Sequence, residues 1–143
     1  MAAGVSEPLY TRDILRLAAS IPGQRSFGDV DGPEVRSLTC GSRVTMQVTL
    51  NADGRVTTVE QAVEACAFGQ ASAALVGAHA GGLSHAEAEA ALDRVERWLD
   101  RHTSDEPWPG MAVLEPARPR RGRHGAILLP FRALIAAIAR ASG

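Results

Sequence analysis

Hydrophobic positions along the chain switch between two periods. Val44, Met46, Val48 and Leu50 alternate with Thr45, Gln47 and Thr49, the period of two that marks a half-buried strand. Asn51-Ala52-Asp53-Gly54 reads as a turn, and residues 55 to 63 return rich in Val and Thr, which predicts a hairpin. Val35 and Leu38 within residues 33 to 39 support a weaker strand before it, so an antiparallel sheet of about three strands is the simplest product. Elsewhere the period is helical. Tyr10, Ile14, Leu17 and Ala18 predict a short first helix within residues 8 to 20, stopped by Ile21-Pro22-Gly23. Residues 67 to 80 are dominated by Ala, Ser and Gly, a composition that lets a helix approach the sheet closely. Ser84 and Glu87 form a capping-box signature, and Ala88, Ala91, Leu92, Val95, Trp98 and Leu99 then define one apolar face of a helix from about 85 to 101. Residues 103 to 123 hold Pro107, Pro109, Pro116 and Pro119 and read as a Pro-rich connector, with Met111-Ala112-Val113-Leu114 as a short ordered piece. A last helix is expected from about 130 to 141, with Pro130 in its first turn and Phe131, Leu134, Ile135 and Ile138 on one face. The fold class is therefore α+β, a small antiparallel sheet covered by helices.

Composition adds limits. At 143 residues, 45% of them hydrophobic and with a formal net charge of −1, the chain fits one globular domain, 1–143, with a real core. Its uninterrupted apolar stretches, 126 to 129 and 134 to 139, fall short of the roughly 20 residues of a membrane span, so no membrane partner is expected. The first eight residues lack the basic start and apolar block of a secretory signal, which makes cytoplasmic the default location. All 15 basic residues are arginine, which leaves no lysine for Schiff-base chemistry.

The two cysteines carry the candidate chemistry. Cys40 lies in Leu38-Thr39-Cys40-Gly41-Ser42-Arg43, directly before the alternating strand, and Cys66 lies where a strand pattern gives way to the small-residue helix. A strand start and a helix start can meet in space. In a reducing compartment two thiols suit metal or sulfur chemistry better than a structural disulfide, and a thiol at a helix start has unpaired amides beside it. The competing reading is that both are small core fillers, since free cysteine is among the most buried residue types.

These motifs resemble those of the U-type iron-sulfur cluster assembly scaffolds, the family of IscU, SufU and the NifU N-terminal domain. Cys40-Gly41-Ser42 stands where that family has Cys-Gly-Asp, so Ser42 replaces a carboxylate ligand. Cys66 followed by Ala71-Ser72 is similar to the second motif, and residues 123 to 134 resemble the segment that opens the last helix. The family's third cysteine is missing: one register puts Ala126 in its place, the other Gly125. The resemblance implies an IscU/SufU-like fold and a scaffold that catalyses no turnover of its own. It implies Cys40 and Cys66 as the residues that bind iron or an iron-sulfur cluster and accept sulfur, with a cysteine desulfurase and acceptor apo-proteins as partners.

Two thiols are too few for a tetrahedral zinc site or a cluster held by its own chain. His124 is the natural third ligand, because imidazole binds iron and zinc alike, and Ser42 would be a weak fourth. A homodimer sharing a cluster is another solution. Two readings compete with the scaffold: a degenerate, partner-binding homologue, and a two-cysteine sulfur-transfer protein. His79, His85 and His102 read as surface residues. Arg118, Arg120, Arg121 and Arg123 form a basic cluster with no interleaved aromatic platform in a slightly acidic chain, which argues against nucleic acid and leaves a protein-docking edge or a solvated loop.

Overall fold

The structure is a computed structural model that describes residues 10 to 38 and 41 to 143. Seven regular elements follow in order: α1 (Arg12–Ala18), β1 (Glu34–Arg36), β2 (Arg43–Leu50), β3 (Val56–Glu64), α2 (Ala67–His79), α3 (His85–Leu99) and α4 (Arg121–Ser142), with 3-10 turns at Phe27–Asp29 and Met111–Ala117. The sheet is antiparallel throughout with β2 in the middle. The alternation that predicted β2 holds on the core face, where Val44, Met46 and Val48 are buried. At the turn, the Asn51 side chain accepts hydrogen bonds from the backbone of Asp53 (2.9 Å) and Arg55 (3.0 Å).

One face of the sheet is covered by α4, which also packs against α2 and α3. Helix α2 lies between α4 and α1, so its small residues serve contacts with helices more than with the sheet, to which the composition alone had assigned them. Gly77 shows the closeness required: a Cβ there would lie 2.9 Å from the Pro22 carbonyl oxygen and 2.8 Å from Nε2 of Gln61. Gln61 is fully buried, and its amide donates to the carbonyls of Pro22 (3.2 Å) and Ala73 (3.0 Å), tying β3 to the chain after α1 and to α2. Helix α3 starts with the predicted capping box, Ser84 and Glu87 each bonding the other's backbone. Ala88, Ala91, Val95, Trp98 and Leu99 are buried, as its apolar stripe requires, with Leu92 at the edge.

The C-terminal third departs most from the sequence reading. Its helix begins at Arg121 rather than near residue 130, so Pro130 lies inside α4 and the connector ends at residue 120. The Pro-rich stretch is held tightly. Trp108 donates from Nε1 to the Leu75 carbonyl (2.9 Å) and meets Phe131 edge-on at 5.1 Å, and the expected ordered piece is the 3-10 turn Met111–Ala117. At 22 residues α4 is long and apolar enough to cross a bilayer by length and composition, yet 56% of its most apolar window is buried inside the fold. It is the central core helix here.

Candidate functional site

The sheet register brings the two cysteine-bearing segments to one end of the fold. Arg43 at the start of β2 pairs with Glu64 at the end of β3, and in sequence this last pair lies three residues after Cys40 and two before Cys66. Arg43 fixes this end: its guanidinium reaches Glu64 (3.3 Å) and Glu34 (3.4 Å) and lies 3.7 Å from the ring centre of Phe27. Ser37 N–H donates to the Ser42 carbonyl at 2.9 Å, closing the β1–β2 loop, and Ser42 itself is buried. Gly41 has φ +73°, and a Cβ there would meet nothing within 4 Å. Its glycine is thus demanded by the left-handed backbone and not by a need for space. Thr39 and Cys40 lie outside the described residues.

Cys66 is the N-cap residue of α2, half-buried, with φ −66° and ψ 171°. Its carbonyl starts the helix by accepting from Gln70 N–H (2.9 Å), while its side chain makes no cap hydrogen bond and the thiol is free. One turn further on, Gly69 brings α2 against α4, since a Cβ at Gly69 would lie 3.2 Å from the Ala126 carbonyl oxygen and 3.4 Å from the Ala126 Cβ. Ser72 donates to the Ile127 carbonyl at 2.6 Å, fully buried. Of the two registers for the absent third thiol, Ala126 is the residue turned inward against α2, 1% exposed, whereas Gly125 is exposed.

His124 faces another way. Its Nε2 lies 2.9 Å from the Arg118 carbonyl and 3.2 Å from that of Ala117, and its Nδ1 is 4.0 Å from Asp100. The nitrogen at the carbonyls must carry hydrogen and donate, so this histidine caps the connector. Ligation by its other nitrogen would compete with Asp100. Among the described residues no group of three or more His, Cys, Asp and Glu side chains could hold a metal ion. His79 and His102 are exposed, and His85 pairs with Glu89 at 3.2 Å.

The arginine cluster divides. Arg118 is buried and donates to the carbonyls of Trp98 and Thr103, both at 2.8 Å, pairs with Glu115 at 3.1 Å, and sits over the Trp98 ring at 4.8 Å. It is a structural clamp. Arg120 and Arg121 are exposed and Arg123 half-buried at the start of α4. Sequence reasoning missed the Arg118 clamp and the contact of Gly69 and Ser72 with α4. Small residues spaced one turn apart on α2, opposite a proline inside an apolar run, were the available signal for that contact.

No protein-family model matches the chain, and no curated protein matches it. Solved structures do. The chain is similar to the N-terminal part of a nitrogen-fixing NifU-like protein from Brucella abortus, 30% identical over 94% of both chains with a TM-score of 0.80. A protein from Fervidobacterium islandicum AW-1 assigned as an iron-sulfur cluster assembly scaffold for the SUF system shares the fold, at 20% identity over 94% of this chain and 99% of that one, TM-score 0.77. So does a hypothetical protein at 21% identity, covering 92% and 98%, TM-score 0.71.

Proposed function

The chain belongs to the U-type scaffold family that includes the NifU N-terminal domains, and from that premise we propose that it works in iron-sulfur cluster assembly, with Cys40 and Cys66 as the residues that take up sulfur and iron. The observation that carries this reading is the position of Cys66: a free, half-buried thiol at the N-terminus of α2, two residues beyond the Arg43–Glu64 pair that ends the hairpin, whose Arg43 follows Cys40 by three residues in the sequence.

Sulfur would arrive as a persulfide on a cysteine desulfurase. The Cys66 or Cys40 thiolate attacks the outer sulfur, forming a new S–S bond as the desulfurase sulfur leaves with the electron pair of the bond that breaks. Iron(II) is then taken by the thiolates, and reduction of the bound sulfur draws on an external electron donor. The unpaired amides at the start of α2 stabilise negative charge on sulfur held there. The remaining ligand positions of the nascent cluster are filled from outside the chain, by a second copy or by the partner that delivers or receives it. The test is to mix the protein with a desulfurase and cysteine and trap persulfides on the Cys40→Ser and Cys66→Ser variants. Label on at least one remaining thiol supports the reading, and no label on either refutes sulfur acceptance.

A second reading is favoured by Ala126, buried at one of the two positions the resemblance offers for a third thiol, and by His124, engaged elsewhere: a homologue that has kept the fold and partner binding but builds no cluster. It predicts that the double variant Cys40→Ser, Cys66→Ser still captures a desulfurase in a pull-down while metal and sulfur uptake are absent even in the natural protein.

A further inference from the structure

We propose that the first turn and a half of α4, residues 121 to 125, is a gate beside Cys66 that opens and closes independently of the rest of the helix. This proposal rests on the function above only for what passes the gate; the gate itself is argued from the helix.

Four features separate this segment from the remainder of α4. Its N-cap, Arg120, has φ −104° and ψ 79° and gives no side-chain hydrogen bond to the first-turn amides. Gly122 and Gly125 both fall within it, and glycine is the poorest helix former after proline. Arg121, Gly122 and Gly125 are exposed, whereas every residue from Ala126 to Phe131 is buried. Finally, Pro130 has no N–H to give to the carbonyl of Ala126, so the hydrogen-bond rung just beyond the segment is missing from the helix.

The junction is anchored from outside instead. Gly69 admits the Ala126 carbonyl against the α2 backbone, and Ser72 holds the next carbonyl, that of Ile127. Among the described residues, opening of residues 121 to 125 therefore breaks their own rungs and the ties of one side chain, the His124 hydrogen bond to the Arg118 and Ala117 carbonyls and its contact with Asp100. A Cβ at Gly69 would lie 2.7 Å from the Ala65 Cβ and 3.4 Å from the Ala126 Cβ, so the residue before Cys66 and the residue that ends the segment flank the same point of α2. Residues 121 to 125 lead directly into Ala126 and so adjoin the entry to α2 at Ala65 and Cys66. His124, a ligand candidate by sequence, becomes the latch of the gate.

The test reads thiol access and backbone opening without reference to sulfur or iron, so it can fail or succeed whatever the fate of the functional reading. In a Cys40→Ser protein Cys66 is the sole thiol, and its rate of alkylation by iodoacetamide is measured beside amide hydrogen exchange. Gly122→Ala adds a Cβ that meets nothing within 4 Å and should slow both exchange at residues 124 to 126 and alkylation of Cys66 by about fivefold, the equilibrium factor of a glycine-to-alanine change in a helix. His124→Ala should accelerate both. Equal exchange protection at 124 to 126 and 131 to 138 would overturn the independent segment, and slowed exchange in Gly122→Ala with an unchanged alkylation rate would overturn its control of Cys66. If His124→Ala does not fold, Gly122→Ala alone decides.

Discussion

Replacing Arg118 with methionine removes a guanidinium while keeping most of the apolar stem that packs on Trp98. Two hydrogen bonds go, to the carbonyls of Trp98 and Thr103, each at 2.8 Å, together with the contact to the indole ring at 4.8 Å. The Arg118 side chain is only 10% exposed, so the carbonyl of Trp98 loses its charged partner in a setting poor in water. The ion pair with Glu115 adds little, because that carboxylate is 59% exposed and solvent screens it. Counting the two charge-assisted bonds at roughly 1.5 kcal/mol each gives a loss of about 3 kcal/mol. For a chain of this length that is a fall in Tm of about 10 °C. Arg121→Met is the control, since Arg121 is exposed and makes no side-chain hydrogen bond or ion pair among the described residues; its unfolding should match the natural protein to within about 0.5 kcal/mol. Urea unfolding followed by tryptophan fluorescence measures both. Equal stabilities for the two variants would refute the assignment of Arg118 as a clamp and return it to the exposed basic edge.

Other consequences can be measured as directly. Ser72→Ala should cost about 1 kcal/mol, because the lost buried bond to Ile127 exceeds alanine's gain in helix propensity; an unchanged unfolding midpoint would contradict it. The backbone N–H of Ser84 and then Arg55 hold the Glu87 carboxyl below its ordinary value of 4.5. The fold therefore gains stability from that ionisation above the unfolded value and loses it as pH falls through the lower folded value. The decline below pH 4.5 should be shallower in Glu87→Gln, and identical pH profiles would remove Glu87 from the account. Ala126→Cys places a third thiol on the inward face of α4, and the variant should retain more iron and sulfide per chain than the natural protein; equal content would show that Ala126 is not the position a third ligand needs.

The hairpin and α3 were legible because their signals are local. Alternation at Val44, Met46 and Val48 fixes which face is buried, and Ser84 with Glu87 satisfies the start of α3 within one turn. The start of α4 was not. Proline at a first helical turn is the common case, so Pro130 read as a beginning, while Gly122 and Gly125 hid the turns that precede it. Those turns are held by Ser72, 55 residues away from Ile127 in sequence, and by His124 turned back onto the end of the connector at Arg118, neither of which an apolar periodicity encodes. The site divides in the same manner. Cys66 at a helix start could be read from the change of period after residue 64, but the geometry of His124 and the burial of Arg118 depend on where the connector runs. Charge alone grouped Arg118 with Arg120, Arg121 and Arg123, and tertiary packing separates it.

The most direct test of a role in cluster assembly is the iron and acid-labile sulfide content of the protein purified without oxygen, with its visible spectrum, beside the double variant Cys40→Ser, Cys66→Ser. The account predicts iron and sulfide in the natural protein and neither in the variant. Absence of both from the natural protein, or equal amounts in the two, would contradict it.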